Sequence, residues 1–331
     1  MSLRLSLALA PGGFPVPDEG RIAVFGPRAG LDLSALPKER LLLLQPLRPD
    51  YEAFQAKGFD CAAELPKDEV FAAAIVFLPR AKAEARMQLA LAAECCSGGP
   101  VLVDGAKTDG VDSALKALKA RLDVSAPVSK AHGKIFWFSG GNDVLQDWIS
   151  DLRALPEGFV TAPGVFSADG VDPASALLAA SLPAKLGRSV ADLGAGWGYL
   201  SREILTRADV EELYLVEADS RALDCARRNL DDPRPQFFWQ DARHWKAPAR
   251  LDAVVMNPPF HTGRSAEPEL GKAFILSAAR QLAPSGQLWM VANRHLPYEE
   301  SLAASFAQVK EVGGDTRFKI LHAQKPRRNR S

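Results

Sequence analysis

A chain of 331 residues has room for two domains of ordinary size rather than one. Hydrophobic residues make up 47% and charged residues 24%, as in soluble globular proteins with real cores. The formal net charge of +0 excludes a global field that draws the whole molecule onto nucleic acid or a membrane, so a nucleic-acid partner has to be held by local patches.

The opening stretch MSLRLSLALAPGG has one Arg and a short apolar run before Pro11. That run is only about as long as the shortest signal-peptide cores, so the expectation is a helix or strand opening the first domain of a cytoplasmic protein. RIAVF from Arg21, LLLLQ from Leu41, AAAIVFLP from Ala72 and PVLVDG from Pro100 read as buried strands. RAKAEARMQLALAAECC and GVDSALKALKARL read as amphipathic helices, the second with Asp112 or Ser113 as its N-cap. KIFWFSG from Lys134 closes the unit as a strand. Cys61, Cys95, Cys96 and Cys225 form no C-x-x-C pair, and adjacent Cys95 and Cys96 make a poor disulfide. A reduced chain without a metal site is expected.

The segment from about Asp151 to Val171 is richer in Gly and Pro, which places the boundary between domains of residues 1–150 and 151–331. Beyond it, SVADLG, ELYLVE, QFFWQ, LDAVVMN, GQLWMVAN and TRFKILHAQK are strand candidates with helical stretches between most of them. Strand–helix alternation in both halves predicts an α/β fold with mostly parallel sheets. No stretch approaches the roughly 18 uninterrupted apolar residues of a membrane-spanning helix.

Four stretches carry chemistry. In VADLGAGWGYLSREIL a strand ends at Asp192 and a turn of Gly194, Gly196 and Gly198 leads into a helix. Glycines allow positive φ and close approach of backbone to a ligand. Tyr199 stands where the dinucleotide fingerprint G-x-G-x-x-G needs its third Gly. With the acid at Asp192, that departure favours a nucleoside without a pyrophosphate, bearing an ammonium. In ELYLVEADSRALDCARRNL, Glu217 ends the next strand about twenty residues on, where a carboxylate can accept both ribose hydroxyls; Asp219 or Ser220 is the better helix cap. In FFWQDARHW, Asp241 follows a strand at the same sheet edge and is either an acceptor for an adenine amino group or a local turn former.

The fourth stretch is VVMNPPFHTG. Two prolines fix the backbone after a strand and remove two donors. The amide oxygen of Asn257 and the carbonyl of Pro258 then make two acceptors on a rigid support. Phe260 offers a face for a planar group. Together these fit an exocyclic NH2 on a flat base, or an amide.

DLGAGWG and NPPF resemble the cofactor loop and the catalytic motif of class I S-adenosylmethionine-dependent methyltransferases that modify exocyclic or amide nitrogens. LPEGFVTAPGVFSADGVDPASALLAASL, NPPFHTG, VANRHLPYE and TRFKILHAQK extend the resemblance to the ribosomal RNA guanine-N2 methyltransferases, above all the small-subunit methyltransferase C family. VFLPRAKAEARMQLA and VDGAKTDGVDSALKAL look like that family's first domain. The resemblance implies two tandem Rossmann-like methyltransferase domains of the seven-stranded mixed-sheet type, with the N-terminal one degenerate and serving as RNA platform or folding support. The chain's own residues agree: FGPRAGLDL, its best early imitation of a cofactor loop, has no strand-end acid before its glycines.

The resemblance implies methyl transfer from S-adenosylmethionine to a guanine N2 of 16S rRNA. Asp192, Gly194, Ala195 and Gly196 then form the cofactor loop, Glu217 and Ala218 meet the ribose, and Asp241 and Ala242 meet the adenine. Phe166, Ser167 and Asp172 cover the methionine end. Asn257, also at the cofactor's edge, joins Pro258, Pro259 and Phe260 in holding the target base. Arg294, His295, Lys325, Arg327 and Arg328 are candidate RNA contacts, and His261 is a loop histidine rather than a base. A monomer acting on ribosomal RNA or the small subunit is expected. The same motifs also suit large-subunit guanine-N2, adenine-N6 and protein glutamine-N5 methyltransferases, and a relic fold acting as a non-catalytic RNA-binding assembly protein is the rival of another class.

Overall fold

The computed structural model describes residues 3–96, 98–141, 143–150, 152–259 and 268–327. Two compact units emerge, Met1–Arg153 with Ala162–Gly164, and Ala154–Thr161 with Val165–Ser331. The first contains strands β1 (Ile22–Phe25), β2 (Leu41–Leu44), β3 (Asp60–Ala62), β4 (Ala73–Phe77), β5 (Pro100–Ala106), β6 (Val128–Lys130) and β7 (Gly133–Ser139). Its helices are α1 (Leu3–Ala8), α2 (Arg48–Ala56), α3 (Lys82–Cys95) and α4 (Val111–Lys119). The sheet order is β3-β2-β1-β4-β5-β7-β6, parallel from β3 to β5 and antiparallel at β7 and β6.

Where the units join in sequence, β8 (Arg153–Ala154) and β9 (Val160–Thr161) form a two-stranded ribbon. The second unit continues with α5 (Pro173–Ser181), β10 (Ser189–Leu193), α6 (Tyr199–Leu205), β11 (Glu212–Glu217), α7 (Ser220–Asn229) and β12 (Pro235–Trp239). It ends with β13 (Leu251–Met256), α8 (Pro268–Gln281), β14 (Leu282–Asn293), α9 (Glu299–Ser305), β15 (Phe306–Gly314) and β16 (Phe318–Pro326). Its sheet runs β12-β11-β10-β13-β14-β16-β15, the same order as the first, with β16 again antiparallel to its neighbours. The two sheets confirm the α/β class and the tandem seven-stranded, mixed-sheet organisation.

Burial on both faces explains why these strands read as unbroken apolar runs. Along β10 and β13, Ala191, Leu193, Val254 and Met256 enter one core while Val190, Ala253 and Val255 enter the other. The period of two puts successive side chains on opposite faces.

Three strands of the two seven-stranded sheets escaped the sequence reading, as did the two-residue strands β8 and β9 of the ribbon. β3 and β6 have three residues each, and β15 is largely exposed, so none has a hydrophobic run. The cap of α4 also differs from the expectation. Gly110, at φ 79°, precedes the helix, and Asp112 instead pairs with Lys134. Among the described residues no helix is long and apolar enough to cross a membrane, and no cluster of His, Cys, Asp and Glu could hold a metal.

Candidate active site

In the second sheet the order reverses between β10 and β13. Open α/β sheets bind ligands at such a switch point, outside the carboxyl ends of the strands. Here those two ends carry the glycine turn and Asn257. A cleft of about 380 Å³, open to solvent, lies there. Its lining unites Phe166, Ser167, Asp172, Gly194, Ala195, Gly196 and Asn257, all singled out from sequence, with Ser175, Trp197, Tyr199 and Leu200.

The turn is shaped by backbone that only glycine adopts freely. Gly194, Gly196 and Gly198 have φ of 79°, 56° and 91°. A Cβ on Gly196 meets nothing within 4 Å, because that position faces open space, whereas one on Gly198 comes within 3.2 Å of Ala226 Cβ on α7. Gly196 therefore opens the cleft, and Gly198 lets α6 pack closely on α7.

Asp192 does not line the cleft. It is fully buried beneath the turn, where Ser201 Oγ donates to its Oδ2 at 2.7 Å. Its Oδ1 has no partner among the described residues. Burial, aided by Glu217 nearby, pushes its pKa up to about 7.

Glu217 closes the turn from the next strand. Its Oε2 accepts from the N–H of Gly196 at 2.7 Å and its Oε1 from that of Asp219 at 2.8 Å. Burial raises its pKa despite those bonds. A carboxylate offers about four lone-pair sites, so acceptor capacity remains on both oxygens. Asp219 caps α7 through its side chain, as the sequence suggested.

Asp241 stands further along the same edge and is engaged locally. Its oxygens accept from the backbone N–H and the guanidinium of Arg243, at 2.9 Å to N and Nε. That partner lowers its pKa against the opposing effect of burial. The turn-forming reading of this residue is thus realised in the structure. Ala242 is buried behind it, its carbonyl accepting from Ser277 Oγ at 2.6 Å.

Asn257 emerges from β13 with its amide nitrogen fully used. Nδ2 donates to Asp172 Oδ2 and to Ser175 Oγ, both at 2.9 Å. Its Oδ1 accepts no hydrogen bond among the described residues. Asp172 caps α5, its Oδ2 also accepting from Ser175 N at 2.8 Å. Pro258 is buried and Pro259 exposed. Phe260 and His261 lie outside the described residues.

The segment before α5 forms the other lip. Ser167 has φ 53°, and its Oγ donates to Gly170 O at 2.7 Å. Trp197 Nε1 donates to Phe166 O at 3.0 Å, which ties the lip to the glycine turn, and Phe166 is 58% exposed. Trp197 had no role from sequence, because a turn tryptophan has no pattern of its own. Ser175 carried only the weak signal of Asp-Pro-x-Ser at a helix start.

The basic candidates scatter. Arg294 follows β14 at the cleft edge of the sheet, but its guanidinium bonds Asp315 O at 2.9 Å and Glu311 Oε1 at 3.1 Å. His295 beside it is exposed. Because β16 runs antiparallel, Lys325 and Arg327 end at the opposite edge, beside Phe306 rather than Asn293. Arg327 Nε bonds Phe306 O at 3.1 Å. Arg328 lies outside the described residues.

The family model of the methyltransferase small domain matches residues 157–322, and that of its N-terminal domain matches residues 49–150. The ribosomal RNA small subunit methyltransferase C of Shewanella pealeana is 32% identical over 269 residues, 78% of each chain. That of Hahella chejuensis is 29% identical over 276 residues, 78% of this chain and 79% of its own. Among solved structures, the T. thermophilus 16S rRNA N2 G1207 methyltransferase in complex with AdoMet and guanosine superposes with a TM-score of 0.79. It is 26% identical and covers 94% of this chain and 89% of its own.

Proposed function

The chain belongs to the class I S-adenosylmethionine-dependent methyltransferases, in the small-subunit methyltransferase C family, and from that premise we propose that it methylates the exocyclic N2 of a guanine in 16S rRNA. The observation that carries the reading is the free acceptor of Asn257 facing a glycine-walled cleft. Relatives named for the small subunit, and a structural neighbour covering 94% of this chain in complex with guanosine, support this RNA and this base.

The cofactor fits the residues present. Its nucleoside suits the space that a Cβ on Gly196 would intrude upon, and the spare lone pairs of Glu217 suit the ribose hydroxyls. Asp172 Oδ1, which has no partner among the described residues, suits the ammonium. Asp241 is held by Arg243, so Ala242 and its neighbours shape the adenine end more than a free carboxylate does. S-adenosylmethionine supplies a methyl group on an excellent leaving group.

The chain's task is to position a weak nucleophile. A guanine amino group has its lone pair delocalised into the ring. Asn257 Oδ1 and the Pro258 carbonyl accept its two N–H bonds and aim the nitrogen. Those bonds strengthen as positive charge develops on the nitrogen, so they stabilise the transition state more than the ground state. No strong base is required, since the methylated amino group sheds its proton readily. The base leaves its stack to reach the cleft, and Phe260 replaces part of the lost stacking. The protein acts as a cytoplasmic monomer on RNA or the small subunit, with Arg294 and His295, just after β14, as candidate RNA contacts.

Mass spectrometry of rRNA digests, from cells with and without the gene, tests this. One N2-methylguanosine should disappear from small-subunit RNA. A loss confined to large-subunit RNA, or no loss, overturns the reading.

A further inference from the structure

Asn257 presents its oxygen to the cleft only if its amide is held one way round, since oxygen and nitrogen exchange on a half-turn of the side-chain amide. In the flipped state the cleft receives two donors, and the amino group of a base meets repulsion instead of acceptance. Something must therefore decide the orientation, and the structure shows what.

Resting on the proposed function, we propose that Asp172 and Ser175 form an amide lock that holds Asn257 with its oxygen toward the acceptor nitrogen, and so restricts the site to N–H donors. A carboxylate only accepts hydrogen bonds. Asp172 Oδ2, at 2.9 Å, therefore bonds Asn257 Nδ2 and repels Asn257 Oδ1. Ser175 Oγ takes the second amide proton at 2.9 Å. The lock is itself held, because the same Asp172 oxygen accepts from Ser175 N at 2.8 Å as the cap of α5. Pro173 at the first helical position fixes the entry. The start of α5 thus does two jobs with one carboxylate, capping a helix and orienting an amide that arrives 85 residues later in the chain.

The consequence is selectivity by hydrogen-bond polarity. With both Asn257 protons committed, the side chain gives the cleft an acceptor alone. A ring nitrogen or carbonyl oxygen offered as nucleophile finds no donor there, whereas an exocyclic amine does find its partner. Asp172 and Ser175 are positioning residues in this scheme. They act through Asn257.

The test compares Asp172→Asn, Ser175→Ala and Asn257→Ala in the full chain, with small-subunit RNA from cells lacking the gene and labelled S-adenosylmethionine at saturation. Asn caps helices as well as Asp does, so Asp172→Asn keeps α5 capped yet can face Asn257 with either end of its amide. Losing a charge-assisted bond predicts a kcat lower by about 10–100-fold for Asp172→Asn, and losing a neutral one about 2–10-fold for Ser175→Ala. Tm and the RNA KM should stay near the parent's. Asn257→Ala should bind cofactor and not turn over. If Asn257→Ala is inactive while both other variants keep kcat within about twofold, the lock is wrong and the proposed function stands. A loss confined to cofactor affinity, with kcat intact at saturation, overturns the lock too and assigns Asp172 to the cofactor alone. An active Asn257→Ala overturns the site reading itself. Should Asp172→Asn fail to fold, Ser175→Ala, which keeps the cap, carries the test.

Discussion

At the scale of single residues, Asp192 is a motif residue that the fold buries instead of presenting to the cleft. The sequence places an acid before the glycine turn, and electrostatics suggests it meets an ammonium directly. The structure buries it under that turn against Ser201, with one oxygen unpartnered. Burial raises its pKa from 3.8 to about 7. Between those values the folded protein holds a proton that the unfolded chain has released. The stabilisation is therefore fully present below about pH 4 and is lost as pH rises through about 7. The amide of an Asp192→Asn variant cannot ionise. Thermal melts at pH 5 to 8 should show Asp192→Asn gaining on the parent as pH rises to about 7 and levelling off above it. A constant gap across the series sinks this account.

At the scale of elements, the glycine turn separates packing from binding. Gly196 and Gly198 are two residues apart and both left-handed, yet a Cβ at each meets a different world. Alanine at Gly198 is strained and pressed against Ala226, so the α6–α7 contact has to shift. Strain of that kind costs about 1–3 kcal/mol, read as a Tm lower by several degrees with cofactor affinity reduced only modestly. Alanine at Gly196 carries similar backbone strain but projects into open space, so calorimetry should show the larger loss of cofactor affinity there. Equal effects of the two substitutions on both readouts would mean that the turn acts as a single rigid unit.

The same scale shows what the sequence makes legible. β10, β11, β13 and β14 are buried on both faces, so their apolar runs and the chemistry at their ends are visible in a linear reading. β3, β6 and β15 escape because edge strands owe their form to hydrogen bonds with a neighbour, which leave little trace in side-chain type. The cleft divides likewise. Glycines, prolines and strand-end acids announce themselves. Ser175 and Trp197 matter through partners 82 and 31 residues away, and no local pattern encodes those distances. Lys325 and Arg327 look like a tail that could join the site, but strand direction, a property of the whole sheet, carries them to its other edge.

At the scale of the whole molecule, the two units share one strand order and differ at the strand ends where the second unit has its cleft. Glu217 stands one residue beyond Val216, the register partner of Leu193. Gln45 stands one residue beyond Leu44, the register partner of Phe25. The two side chains bond alike. Gln45 Oε1 accepts from Leu47 N at 2.9 Å as Glu217 Oε1 accepts from Asp219 N, two residues on in each case. Their other ends differ in sign. Gln45 Nε2 donates to Pro27 O at 2.7 Å where Glu217 Oε2 accepts from Gly196 N. Gln45 is 2% exposed and has no charge to offer a ribose. After β4 the chain reads Leu78-Pro79-Arg80, without an amide acceptor. The first unit thus has the same strand order, with Gln45 bonded at both ends where Glu217 keeps spare acceptor capacity. Titration of the full chain with S-adenosylmethionine should saturate at one molecule per chain, and Glu217→Gln should weaken that single event without uncovering another. Two binding events per chain, or one that survives Glu217→Gln at full affinity, would place the cofactor somewhere other than the switch point of the second sheet.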